Sequence, residues 1–255
     1  MINRRAPAIF IGHGSPLNAI EENEFNRTWH LIGETIPTPK AILSISSHWQ
    51  TKKTAITGDH HPQTIHDFWG FPQELFAVEY RAPGSLELVE RIQQLLPDVE
   101  VDLKWGLDHG TWSVLNPMYP AANIPVVQLS LGQLLDFPAH YALGQALGPL
   151  RDEGVLILGS GNVVHNLRES VFRDVAFDWA VEYDEMVKQW IAKREDNMII
   201  SLNGHGKLAM LSVNSGEHYS PLLYVLGSSD PDEPLQFYCE KVTQGSISMR
   251  CVKLG

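Results

Sequence analysis

Ala8-Ile9-Phe10-Ile11-Gly12-His13-Gly14-Ser15-Pro16 is the stretch whose reading decides the fold. Four apolar residues in succession, closed by a histidine between two glycines and followed by a helix-like segment, describe a strand that delivers one imidazole to the edge of a sheet. The same pattern recurs. Residues 41–46 form a second apolar run that leads directly into Ser47-His48-Trp49. Residues 99–103 alternate as a strand does and lead to Gly106-Leu107-Asp108-His109-Gly110-Thr111-Trp112. Residues 155–158 run into Gly159-Ser160-Gly161-Asn162-Val163-Val164-His165-Asn166. Residues 208–213, read as a further strand, precede Asn214-Ser215-Gly216-Glu217-His218.

Between these runs lie helical patterns. Residues 17–36 carry Ile20, Phe25, Trp29 and Ile32 at helical spacing, and residues after Pro83-Gly84-Ser85 place Leu88, Val89, Ile92, Leu95 and Leu96 on one side. Asp136 is an expected N-cap, with Pro138 in the first turn, Gly154 as a stop and Pro149 as an earlier end. Trp179, Tyr183, Met186, Val187, Trp190 and Ile191 mark an amphipathic helix, and residues 219–226 a short one with Pro221 in its first turn. Residues 54–57 and 125–131 read as further strands, and 235–242 and 247–254 as a closing pair around Gln244-Gly245-Ser246. Strands alternating with helices predict the α/β class: a single domain over 1–255 with an open, mostly parallel or mixed sheet and helices on both faces. Ligands in such sheets bind at the strand carboxyl ends.

Composition narrows the function classes. The 255 residues are 44% hydrophobic and 19% charged, with no apolar run near the ~20 residues that a membrane span needs. A formal net charge of -11 without a basic stripe argues against nucleic acid or an anionic membrane as partner. Met1-Ile2-Asn3-Arg4-Arg5-Ala6-Pro7 has no apolar core of a secretory signal, so the cytoplasm is the expected location. Cys239 and Cys251 show no CxxC spacing and are read as strand or core residues. Oligomeric state is not legible.

Eleven histidines is a generous number for an acidic chain, and five of them, His13, His48, His109, His165 and His218, follow predicted strands. If the sheet forms, all five share one rim. Imidazole suits Zn, Fe, Cu and Ni, and sites with open positions commonly use three protein ligands, so a metal centre is expected there. Ser15, Ser47 and Ser160 stand near histidines, but serine is common in such turns and none is read as a nucleophile. HExxH, the Walker A loop, GxGxxG after a strand and the GxSxG elbow are all absent. From the residues alone, a zinc-dependent hydrolase or a zinc-stabilised binding module would use the same histidines.

Six motifs in order make the pattern more specific: GHGSP at 12–16, SSHW at 46–49, PQTIHDFWGFP at 62–72, LDHGTW at 107–112, GSGNVVHNLR at 159–168 and EHYSPLLYVLG at 217–227. Through them the chain resembles, nearly end to end, the class III extradiol ring-cleaving dioxygenases of the LigB superfamily, in particular its 4,5-DOPA dioxygenase extradiol group. The resemblance implies an oxidoreductase acting on a small-molecule catechol and O2 to give a ring-opened muconic semialdehyde. It implies Fe(II) for activity, with zinc as an alternative occupant, held by His13, His48 and His218. His165 matches a position that is either a further ligand or an acid-base residue, and His109 matches the other acid-base histidine. The wider superfamily completes its ligand set with a glutamate, which directs attention to Glu217. In the implied mechanism the metal is template and electron conduit, His165 accepts a catechol proton and His109 donates one. The aromatic loop at 61–71 is expected to form the substrate wall, with His66 and Phe68 in contact.

Overall fold

Ala8 and Phe10 point into one hydrophobic core, Ile9 and Ile11 into another, and all four are fully buried. Successive strand side chains project to opposite faces, so an unbroken apolar strand needs cover on both sides. The computed structural model, which describes residues 5–201 and 206–255, has that cover. Helices Leu86–Leu95, Phe137–Leu147, Asp178–Lys193 and Ser220–Gly227 contribute to the core of one face. Helices Glu24–Thr35 and His109–Met118 contribute to the other. Each large apolar side chain taken from water in this way contributes about 1.5–3 kcal/mol.

In chain order the strands are β1 (Ala8–Gly12), β2 (Ala41–Thr51), β3 (Ala55–Thr57), β4 (Glu100–Asp102), β5 (Val126–Gly132), β6 (Val155–Gly161), β7 (Leu235–Tyr238), β8 (Val242–Thr243), β9 (Ile247–Ser248) and β10 (Cys251–Leu254). Eight of them form one sheet in the order β4-β3-β5-β2-β6-β1-β10-β7, and β8 and β9 form a separate antiparallel pair. The centre, β5-β2-β6-β1, is parallel throughout. Its carboxyl ends therefore share one rim. Antiparallel β10 and β7 extend one edge, while β3, antiparallel to β5, and β4, parallel to β3, extend the other. The mixed α/β sheet with helices on both faces is the one expected.

Several local expectations are corrected. Residues 208–213 are not a strand: Gly206–Ser212 is a helix. Leu208, Ala209, Met210 and Leu211 are strong helix formers, and a short apolar run does not separate the two states by periodicity. His109 does not sit in a turn but opens helix His109–Met118, capped by Asp108, whose side chain accepts from Thr111 N–H. Every residue of that helix but Asn116 is buried, so it shows no amphipathic period, and Gly110 and Pro117 disguise it further. His48 lies within β2, not after it, inside the register shift between Ile45 and Gln50, an irregularity of the kind that re-aims side chains.

The pattern at 17–36 divides into a 3-10 turn, Pro16–Ala19, and the helix from Glu24. Asn23 makes that division by accepting from Phe25 and Asn26 N–H. The closing pair is likewise broken, its outer halves being β7 and β10 and its inner halves β8 and β9. Cys251 is buried in β10, and Cys239, just past β7, takes a positive φ of 51°. Residues 1–4, which carry part of the reading against a secretory signal, lie outside the described residues. No helix among the described residues is long and apolar enough to cross a membrane.

Candidate metal centre and active site

Gly12 and Gly161 lie opposite each other at the ends of β1 and β6. A Cβ on Gly12 would stand 2.6 Å from the backbone carbon of Met249, and one on Gly161 would stand 2.0 Å from the carbonyl oxygen of His218. Only glycine lets those two segments close onto the strand ends. The same His218 carbonyl accepts from Asn162 N–H at 2.8 Å, and Gly161's carbonyl accepts from His13 N–H at 3.0 Å. Thus residue 218, distant in sequence and preceded by a helix, is fastened directly to the rim that carries His13.

The five histidines meet there. Ring centroids are 5.1 Å apart for His13 and His48, 5.3 Å for His13 and His218, 5.1 Å for His48 and His218, 3.8 Å for His48 and His109, and 3.5 Å for His165 and His218. Ring nitrogens of His13, His48 and His218 all lie within 4.8 Å of one another. Two further groups satisfy the same test, His48 with Asp67 and His109, and His165 with Glu217 and His218.

Hydrogen bonds determine which nitrogens face the centre. Ser160 Oγ donates to the Gly110 carbonyl, so only its lone pairs remain for His13 Nδ1, 2.9 Å away. His13 therefore carries its proton on Nδ1 and turns the lone pair of Nε2 toward His48 Nε2, at 3.2 Å. Two imidazole nitrogens at that separation need a proton or a cation between them. His218 Nδ1 donates to Glu217 Oε1 at 3.0 Å, and the same oxygen accepts from Ser215 Oγ, which leaves His218 Nε2 with a lone pair. His109 Nδ1 and its main-chain N–H both donate to Asp67 Oδ1, at 2.8 and 3.0 Å, while Asp67 Oδ2 lies 3.7 Å from His48 Nδ1. Below β2, Ser46 Oγ donates to Asp108 at 2.6 Å and accepts from His48 N–H at 3.2 Å, and Gln128 Nε2 also donates to Asp108.

Electrostatics favour neutral imidazoles. Burial, aided by the surrounding histidines, holds His13 and His218 well below the usual histidine range. Burial and the neighbouring His109 push His48 down to about 3, against the pull of Asp67. Burial alone takes His165 down to about 4, with Glu217 opposing. The Asp108 carboxyl goes the other way, up to about 6, through burial and the nearby Asp67. Neutral imidazoles with fixed Nδ1 donors and convergent lone pairs are the donor set that a divalent first-row transition ion takes. The residues present fit such an ion.

The expected substrate contacts divide. Phe68 packs edge-on against His109 with centroids 5.5 Å apart, and against Phe71, Phe76 and Trp112. His66 lies 5.4 Å from Trp112, and its Nε2 bonds the Val78 carbonyl at 3.0 Å, so that end of the ring is committed to the loop itself. Three residues that matter locally were not singled out from sequence. Asp67 and Asp108 each adjoin a noticed histidine, and Ser160, considered only as a nucleophile, orients His13 instead.

Residues 8–247 match the model of the family described as the catalytic LigB subunit of aromatic ring-opening dioxygenase. The chain is 43% identical to the 4,5-DOPA dioxygenase extradiol of Escherichia coli (strain K12), covering 100% of this chain and 97% of that protein. It is 40% identical to the 4,5-DOPA dioxygenase extradiol of Beta vulgaris, over 86% of this chain and 85% of that protein. Among solved structures, an uncharacterized protein of Escherichia coli K12 superposes with a TM-score of 0.86 at 39% identity, covering 98% of this chain and 100% of that one.

Proposed function

The chain belongs to the family of the catalytic LigB subunit of aromatic ring-opening dioxygenases, and from that membership we propose that it cleaves a DOPA-like catechol beside its two hydroxyls, consuming O2 and yielding a muconic semialdehyde. The observation that carries this reading is the convergence of His13, His48 and His218, with two Nε2 atoms 3.2 Å apart and all three imidazoles kept neutral by burial. Those three residues would hold Fe(II), with zinc as an alternative occupant, and the ion would supply a template and an electron path between catechol and O2.

His165 stands off the metal in this reading. Its ring is stacked on that of His218, and it belongs to a different donor group from His13 and His48. Neutral at working pH, it is in the form that accepts a proton, and it takes one from a catechol hydroxyl. His109, whose ring lies 3.8 Å from that of His48, returns a proton to the opening ring. Glu217 acts behind His218, fixing its tautomer, as a carboxylate commonly does for a metal-bound histidine. Phe68 walls the ring of the substrate, and His66 stiffens the loop that carries it. Residues 1–255 work as one catalytic domain, since the sheet and the site each draw on both ends of the chain.

The test is reconstitution with Fe(II) without oxygen, addition of L-DOPA, and then admission of air. A yellow product with one O2 consumed per catechol is expected. Colourless solutions without O2 uptake across a panel of catechols would overturn the substrate class, and turnover that persists without O2 would point to hydrolysis.

A further inference from the structure

We infer that Asp67 is the positioning residue of His109 and determines which of its ring nitrogens exchanges protons with the substrate, an inference that rests on His109 being an acid-base residue. Asp67 lies on the aromatic loop and His109 is the first residue of helix His109–Met118, so the two belong to separate parts of the chain. One carboxylate oxygen, Asp67 Oδ1, joins them twice. It accepts from the His109 main-chain N–H at 3.0 Å and from His109 Nδ1 at 2.8 Å.

The first bond satisfies one of the N–H groups that the opening turn of a helix leaves without an intrahelical partner. The second follows from chemistry: an ionised carboxylate only accepts, so His109 Nδ1 must carry the proton. A ring flip would bring a carbon to Asp67 and break the bond. The edge-on contact of Phe68 with His109 restrains the ring from another side. Any proton that arrives at or leaves His109 therefore does so at Nε2. Asp67 in this way ties the substrate-wall loop to the catalytic rim, and its other oxygen, 3.7 Å from His48 Nδ1, reaches toward the metal side of the same rim.

The experiment compares Asp67→Ala and Asp67→Asn with the unaltered enzyme. The His109 ring protonation is read by nitrogen NMR on 15N-histidine-labelled, zinc-loaded and hence diamagnetic protein, with His109→Gln identifying its signals. Steady-state kinetics on catechol are measured on the Fe(II)-loaded enzyme. The unaltered protein is expected to show His109 protonated at Nδ1. Asp67→Ala should move that proton to Nε2 and lower kcat about 10- to 100-fold, with KM changed by less than about threefold and metal content intact. Asp67→Asn keeps an acceptor oxygen in the same place, and should retain the Nδ1–H signature with an intermediate kcat. It carries the test if the alanine variant does not fold.

Persistence of Nδ1–H in Asp67→Ala would overturn the inference. So would an unchanged kcat in Asp67→Ala once its tautomer has switched, or an unchanged kcat in Asp67→Asn, where a neutral amide replaces the carboxylate. Absence of catechol turnover by the unaltered enzyme would instead remove the ring-cleavage reading and the catalytic half of this inference, while the NMR arm would still decide whether Asp67 orients His109.

Discussion

The imidazoles of His165 and His218 lie face to face, their centroids 3.5 Å apart and their planes 6° from parallel. Such close stacking suits two neutral rings and penalises two charged ones. It also sets His165 beside the group of His13, His48 and His218, while His165 itself groups with Glu217 and His218. His218→Ala is expected to lose the metal, whereas His165→Ala should retain it at the unaltered stoichiometry and lose kcat by about 10²–10⁴. Metal analysis of both variants beside O2 uptake checks this. Loss of metal from His165→Ala would make it a ligand.

Ser160→Ala leaves His13 Nδ1 without its acceptor in a buried setting. The ring is then free to change tautomer or turn. Metal affinity should fall about 10- to 100-fold with the fold retained, as measured by competition with a chromogenic chelator.

Gly12→Ala introduces a methyl group 2.6 Å from backbone carbon and 2.8 Å from the Ser248 carbonyl oxygen. These atoms are backbone of residues 248–250 and cannot yield as a flexible side chain would. A destabilisation of about 1–3 kcal/mol is expected, with reduced metal content because His13 follows directly. Urea unfolding decides the first point and metal analysis the second.

His140 offers a pH dependence away from the metal. It is buried with Nδ1 2.9 Å from the Tyr224 hydroxyl, and burial pushes it down to about 4. The unfolded imidazole binds a proton near 6.5, so below that pH the unfolded chain holds more protons than the folded one. The stabilisation is complete above about 6.5 and is lost as pH falls toward 4. Between pH 7.5 and 4.5 the unaltered protein should lose about 2–3 kcal/mol more than His140→Gln. Equal losses in urea titrations at the two pH values would refute this.

Phe68→Ala removes the ring that packs on His109 and faces Phe71 and Phe76. An aromatic contact of this kind is worth about 0.5–1.5 kcal/mol, so KM for a catechol should rise by roughly threefold to tenfold. An unchanged KM would place the substrate wall elsewhere.

Much of this was legible in advance because its signals are local. The burial of consecutive residues along 8–11 announces a strand covered on both faces. Ser85 and Asp136 mark helix starts by hydrogen bonds within a few residues, and Pro138 marks one by lacking an N–H where none is needed. Where a local signal was ambiguous, the reading failed. Leu208-Ala209-Met210-Leu211 fits a strand or a helix equally by pattern. The buried helix from His109 hides behind Gly110 and Pro117, because an element wrapped in protein on all sides has no polar face to reveal its period.

The sequence by itself determined the α/β class, the five histidines and the motifs that carry the family, since these depend on residue type and short-range order. Only the tertiary structure decided how those histidines differ. His13 is oriented by a serine from β6, His218 by the glutamate beside it, His109 by an aspartate from the aromatic loop, and His165 by stacking. A ring's tautomer, charge and direction are set by whatever atom meets its second nitrogen. In three of these four cases that atom or ring lies far away along the chain and is brought close only when the parallel strands align their carboxyl ends.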